Sequence, residues 1–170
     1  MPYAVELYFE AEATQKLRAS SYRLTGFEQD MQPHVSLAVF ETCQQEDIKH
    51  LLTAFARETS AFRLKFAAIG SFPGTEGVIF LAPVVSQDLL TLHQRFHRHL
   101  SLINQSSLAY YVPGQWVPHC TLAFGVPDEN IAGLMQGFRL EPLFDEVQVT
   151  EIGLIKARPF ADLFRIPLSG

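Results

Sequence analysis

Cysteines and long apolar runs are nearly absent from this chain. Only two cysteines occur, Cys43 and Cys120. Two thiols do not make a disulfide framework, and free buried thiols in a reducing cytoplasm are the simpler expectation. No run of about 18 apolar residues is present, so no membrane span is expected. The opening residues, Met1-Pro2-Tyr3-Ala4-Val5-Glu6, lack a basic stretch ahead of an apolar core, so no secretory signal is expected. Positive charge is also scarce. The net charge is −5, and the short cluster Arg95, His97, Arg98 and His99 is the main basic feature. Proteins that hold long nucleic acid through many phosphates carry a basic face. Duplex DNA is therefore not an expected partner, whereas a small nucleotide or an RNA end is compatible. Low-complexity tracts and the His-Glu-x-x-His metal signature are missing as well.

What is present is an ordinary globular composition, 48% apolar and 18% charged over 170 residues. That length suits one compact domain or two small lobes sharing a core. Residues Ala4–Phe9, apolar apart from Glu6, read as a strand. Ala11–Leu24 reads as a helix stopped by Gly26. Pro33–Glu41 reads as a strand, and Gln44–Thr59 as a helix with Ile48, Leu51, Leu52 and Phe55 on one side. Ala61–Ile69 alternates apolar and charged residues, which predicts a strand. The turn-rich segment Gly70–Gly77 follows, and the order then restarts. Val78–Val85 reads as a strand. Gln87–Leu102 reads as a helix with Leu89, Leu92, Phe96 and Leu100 inward. Trp116–Phe124 reads as a strand, and Asp128–Phe138 as a helix with Asp128 as N-cap. Pro142–Lys156 and Asp162–Pro167 read as closing strands. The series is β-α-β-α-β, twice. It predicts one domain over residues 1–170, with halves of approximately 1–72 and 77–170 related by a pseudo-two-fold axis.

The two halves share a motif. Pro33-His34-Val35-Ser36-Leu37-Ala38 and Pro118-His119-Cys120-Thr121-Leu122-Ala123 both read Pro-His-apolar-hydroxyl-Leu-Ala. Each copy falls on the second strand of its half. Residues i and i+2 of a strand share a face, so His34 projects with Ser36, and His119 with Thr121. Val35, Leu37, Cys120 and Leu122 are expected to face the core. Ala38 and Ala123 are expected to continue the polar face and leave room for a ligand. Side by side, the two strands would surround one pocket with two imidazoles and two hydroxyls. That set suits a tetrahedral phosphate. Hydroxyls donate to its oxygens, one neutral imidazole takes a proton from water, and one imidazolium gives a proton to a leaving ribose oxygen. Protons handle both ends of the reaction, so no metal or other cofactor is expected.

The paired His-x-[Ser/Thr]-x motifs resemble those of the 2H phosphoesterase superfamily, which includes the 2′-5′ RNA ligases and cyclic phosphodiesterases. Ile69-Gly70-Ser71-Phe72-Pro73, the strand after it, Leu92-His93 and the strand Val147–Lys156 extend the resemblance over nearly the whole chain. The resemblance implies an α+β, bilobal fold with antiparallel-rich sheets around a central cleft and helices outside. It implies His34 and His119 as the catalytic pair and Ser36 and Thr121 as phosphate binders. The implied activity is metal-independent hydrolysis of 2′,3′-cyclic phosphate on a nucleotide or RNA end. Ligation or cleavage of 2′-5′ bonds on tRNA-like fragments is the alternative. A nucleotide- or RNA-end-binding module without turnover is a third reading, from a different class.

Further residues are candidates for lining a substrate site. Tyr110, Tyr111 and Trp116 precede the second motif and could stack on a base, as could Phe72. Lys156 and Arg158 could neutralise phosphate. His93, His97 and His99 share one helix, but no third ligand is evident, and a solvated face is expected for them and for His50. The chain is expected to be a cytoplasmic monomer.

Overall fold

The structure, a computed structural model, describes residues 2–26 and 30–170. Strand β1 is Tyr3–Phe9, helix α1 Ala11–Thr25, β2 His34–Phe40, α2 Gln45–Arg57, and β3 Phe62–Ser71. The second series is β4 Ile79–Pro83, α3 Gln87–Leu102, β5 Cys120–Ala123, α4 Asp128–Arg139, and β6 Glu146–Ala157. A final strand, β7 Phe160–Pro167, and a 3₁₀ turn at Ala109–Tyr111 complete it. The β-α-β-α-β order therefore occurs twice, as the hydrophobic periods predict, in an α+β fold.

Local chemistry explains most boundaries. Gly26 closes α1 in the left-handed conformation, with its N–H on the Tyr22 carbonyl, a position that suits glycine. Ser86 caps α3, its hydroxyl accepting from the Leu89 N–H. Helix α2 buries Ile48, Leu51, Leu52 and Phe55 on one stripe; each such side chain contributes roughly 1.5–3 kcal/mol. Two expectations are corrected. Asp128 is the first helical residue of α4 rather than its cap, which is Pro127. The second motif strand begins at Cys120, not Trp116. Pro118 lacks an N–H for a ladder, and Trp116 turns into the core.

Among the described residues seven strands form one sheet, six of them in the order β2-β1-β6-β3-β4-β5 with β7 paired to β6 off this path, and all its ladders are antiparallel. Strand β6 carries β1 on one edge; β3 and then β7 share the other. The third strand of each sequence half thus pairs with the first strand of the other half. The end strands β2 and β5 approach each other, so the sheet's two extremities meet.

Register makes the internal two-fold explicit. In the first half Leu7 pairs with Val35, Glu6 with Ser36, and Val5 with Ala38, leaving Leu37 as an extra residue. In the second, Leu81 pairs with Cys120, Phe80 with Thr121, and Ile79 with Ala123, leaving Leu122 extra. Both motifs carry a β-bulge at the same leucine. A bulge shifts the alternation by one residue, which corrects the expectation for Ala38 and Ala123. Both are buried in the apolar core rather than lining a polar face. The third strands match too, since Glu6 pairs with Gly153 and Phe80 with Gly70.

Candidate active site

Each motif histidine is held in the same way. The Nδ1 of His34 lies 2.7 Å from the Gln32 carbonyl, and the Nδ1 of His119 lies 2.7 Å from the Val117 carbonyl. A carbonyl only accepts, so each Nδ1 carries the hydrogen. The tautomer is thereby set, and Nε2 is the atom of each ring left for other partners. Proline follows each accepting carbonyl and holds the preceding residue extended. The Pro-His pair in each motif thus supplies its own orienting acceptor two residues back.

The charge of His34 is felt at His119. Burial holds the His119 pKa below the usual imidazole value; the Val117 carbonyl opposes this, and the charge of His34 lowers it further. The backbone N–H of His34 is directed at the Cys120 sulfur, which ties the start of β2 to the start of β5. Cys120 is fully buried and its thiol pKa is pushed up to about 12, chiefly by burial. It is a neutral core group, as its strand position predicts. The Ser36 and Thr121 hydroxyls bond to no other described side chain or carbonyl and remain available to a ligand.

The surroundings of the two rings differ. Phe72 stands edge-on to His119, with centroids 4.8 Å apart, and stacks on Phe80 at 4.4 Å. Phe80 is itself 5.4 Å from His119. His34 instead meets Glu6, whose Oε1 is 3.3 Å from its Nε2. The Tyr8 hydroxyl donates to Glu6 Oε2 at 2.9 Å. The Arg165 guanidinium lies 3.8 Å over the Tyr8 ring, donates to Gln32 Oε1 at 2.7 Å, and pairs with Asp162. Glu6 is 2% exposed, and burial pushes its pKa up against the opposing pulls of His34, Tyr8 and Arg165.

Other sequence candidates divide. Phe72 stands at the site. Tyr111 is partly buried; burial first, and then the charges of Glu6 and Glu76, push its phenol pKa up. Tyr110 is exposed. Trp116 is not presented to a ligand. Its indole stacks on His93 at 3.9 Å and its N–H donates to the Ser36 carbonyl at 3.0 Å, so it supports the first motif from below. Lys156 falls on the opposite face of β6 from Gly153, by strand alternation. Arg158 lines a separate groove of about 930 Å³ with Met31, Phe124, Gly133 and Phe160.

The expectation of a solvated histidine face on α3 is corrected. His93 is 1% exposed. Its Nε2 donates to the carbonyls of Leu37 at 3.1 Å and Tyr111 at 3.0 Å, and His97 Nε2 also reaches Leu37 at 3.1 Å. The bulge at Leu37 turns that carbonyl out of the ladder, and these two rings satisfy it. Among the described residues no group of three or more His, Cys, Asp or Glu side chains is placed to hold a metal ion. The His93 pKa is held down to about 4 by burial and then by His97. Unfolded, the ring would protonate near 6.5. The unfolded chain therefore binds more protons between these values, and stability falls as pH drops from about 6.5 toward 4. The slope contributed by one such group is at most about 1.4 kcal/mol per pH unit. Urea midpoints at pH 7 and pH 5 should show this loss, and His93→Phe should flatten it.

Missed by sequence reasoning were Arg165 and the role of Glu6. Glu6 had a signal, a lone charge inside an apolar strand. Arg165 had none, because in β7, Phe-Ala-Asp-Leu-Phe-Arg-Ile-Pro, it reads as one of two ordinary charges, with Asp162, on a half-exposed strand.

This geometry now meets known proteins. Residues 9–158 match the profile of the 2′-5′ RNA ligase superfamily. The chain belongs to that superfamily, the 2H phosphoesterases. A protein of Geobacillus sp. (strain WCH70) that carries a provisional phosphoesterase name is 27% identical over 126 residues, 72% of this chain and 69% of that protein. A similarly named protein of Bacillus cereus (strain AH820) is 26% identical over the same shares. Among solved structures, TT0787 of Thermus thermophilus superposes with a TM-score of 0.68 at 22% identity, covering 100% of this chain and 99% of the other. E. coli LigT complexed with 3′-AMP superposes with a TM-score of 0.63 at 18% identity, each chain covered fully at 100%. The superfamily fold is therefore an α+β arrangement shared end to end. No helix among the described residues is long and apolar enough to cross a membrane.

Proposed function

We propose that this 2H phosphoesterase hydrolyses 2′,3′-cyclic phosphate on a nucleotide or RNA end, with His34 and His119 as the acid–base pair. The observation that carries this reading is the matched tethering of the two rings. Each donates from Nδ1 to the carbonyl two residues back, which leaves Nε2 for proton transfer, in His34 beside the Glu6 carboxyl. Water attacks phosphorus while one Nε2 removes its proton. The bond from phosphorus to one ribose oxygen breaks, and the other Nε2–H protonates that oxygen. The product is a phosphomonoester with a freed hydroxyl. Ser36 and Thr121 donate to the non-bridging oxygens. The provisional phosphoesterase names of the relatives and the crystal forms of E. coli LigT with 3′-AMP, phosphate and ATP support a nucleotide-sized phosphate substrate. A net charge of −5 disfavours long RNA strands.

The test is turnover of 2′,3′-cyclic nucleotides in excess chelator, with the product identified as a 2′- or 3′-monophosphate. Binding without product would favour a non-catalytic module. Strict dependence on added divalent metal would overturn the proton-only chemistry. Ser36→Ala and Thr121→Ala should each weaken binding of inorganic phosphate. A hydrogen bond to a charged group contributes roughly 1.5–3 kcal/mol, so the expected loss is about 10- to 100-fold in Kd. Calorimetric titration would read it.

A further inference from the structure

We propose that Glu6 is a positioning residue that keeps the shared proton on His34 Nε2, so that His34 starts each cycle as the proton donor and His119 as the acceptor. This deepens the reading above and rests on it for the reaction, though not for the proton's resting place.

The internal two-fold supplies the argument. Glu6 and Phe80 occupy matching positions, each paired with its motif hydroxyl residue and, on the other side, with a glycine. Nearly everything else about the two motifs is repeated: the Pro-His tether, the hydroxyl, the bulged leucine and the buried alanine. The symmetry breaks where a group can touch the imidazole. One ring receives a carboxylate at 3.3 Å. The other receives the edges of two phenyl rings, at 4.8 and 5.4 Å. A carboxylate favours the protonated ring, and an apolar wall favours the neutral one. Reactions that need one acid and one base gain from two like residues in unlike settings.

The groups around His34 agree. On β1, Tyr8 donates to the far oxygen of Glu6 and leaves Oε1 for the ring. From β7, Arg165 favours the ionised carboxylate and Asp162 opposes it. Next to β5, His119 feels the charge of His34, which opposes a second proton on its own ring, and Cys120 is a neutral thiol. Tyr111 feels the Glu6 charge and stays a neutral phenol. Burial makes Glu6 costly to leave charged and alone, so Glu6 and His34 are best described as one couple holding one proton. The contact at 3.3 Å is longer than the roughly 2.7–2.9 Å of a tight charge-assisted bond. A leaving oxygen that arrives at Nε2 can replace Glu6 there. His119, by contrast, presents a lone pair for water's proton. After turnover His119 holds the extra proton and His34 lacks one, and exchange with solvent resets both.

Two measurements test this. In Glu6→Gln, which keeps the size and a partner for Tyr8, kcat should fall at least tenfold with KM changed less than threefold. The alkaline limb of the kcat profile, where the donor loses its proton, should move about one pH unit lower. An unchanged alkaline limb would overturn the proposal. Nitrogen NMR of the imidazoles in the wild-type protein without substrate gives the second measurement. As pH falls, the Nε2 of His34 should take up its proton before the Nε2 of His119. The reverse order would overturn the role of Glu6, whether or not the variant folds. Failure of the wild type to turn over any cyclic phosphate would sink the functional reading instead, and the NMR order would still decide the proton's place.

Discussion

Under the proposed mechanism, replacing His119 with alanine should lower turnover of a 2′,3′-cyclic nucleotide by about 10²–10⁴-fold, the contribution of one positioned proton transfer. Replacing His34 with glutamine gives a loss of the same order. The reasons differ at the two positions. At His119 the alanine would remove the proposed acceptor of water's proton, and leave Phe72 and Phe80 facing a small gap. At His34 glutamine is the better probe, because alanine would leave the buried Glu6 carboxyl without its partner and confuse folding with chemistry. The double variant should lose less than the product of the two single losses, since the proposed acid and base act in one step. Far-ultraviolet circular dichroism and a urea midpoint establish that each variant is folded. Initial rates between pH 5 and 9 then read the loss. Near-wild-type rates in both single variants would remove His34 and His119 from the chemistry.

The parts legible in the sequence were those that depend on short-range spacing. Period-two and helical patterns placed eleven regular elements nearly where they lie, because each pattern states which face of its own element is buried. The i, i+2 argument linked His34 to Ser36 and His119 to Thr121 for the same reason. It failed one residue later. Alternation carried through Leu37 places Ala38 on the polar face, but the bulge adds a residue and returns Ala38 to the core. A bulge is a property of two paired strands, and nothing in one strand declares it. His93 failed for a related reason. The apolar stripe of α3 runs Leu89, Phe96 and Leu100, and Leu92 fits it as well as His93 does. What admits a buried imidazole there is the pair of carbonyls waiting at Leu37 and Tyr111, contributed by distant segments. Glu6 sits between these cases. Its charge in an apolar strand announces a partner, but its pairing with the first motif appears only when β1 and β2 are in register.

Gly153→Ala should destabilise the fold by about 1–3 kcal/mol, the usual cost of overpacking a filled site, while Gly70→Ala should cost less. The two glycines are partners across the internal two-fold, and a methyl group at each meets a different obstacle. At Gly70 the added carbon would lie 2.7 Å from the tip of the Phe80 ring. That ring can tilt, and the tilt moves its edge relative to His119. At Gly153 the added carbon would lie 2.7 Å from the Phe164 carbonyl oxygen, 3.0 Å from Arg165 Cγ and 3.1 Å from the Tyr8 ring. A strand carbonyl cannot rotate away without breaking the ladder, so β7 must shift as a whole. Arg165 goes with it and the Tyr8 ring on β1 is pressed directly by the methyl group, and these two are the groups that hold Glu6 and Gln32 in place around His34. Gly153→Ala should therefore lower the urea midpoint and disturb the His34 ring signals. Gly70→Ala should leave the midpoint closer to wild type and disturb those of His119. Equal losses of stability in the two variants, with both rings unaffected, would show that the sheet absorbs a methyl group at either place and that the close approach at Gly153 is not what aligns the first half of the site.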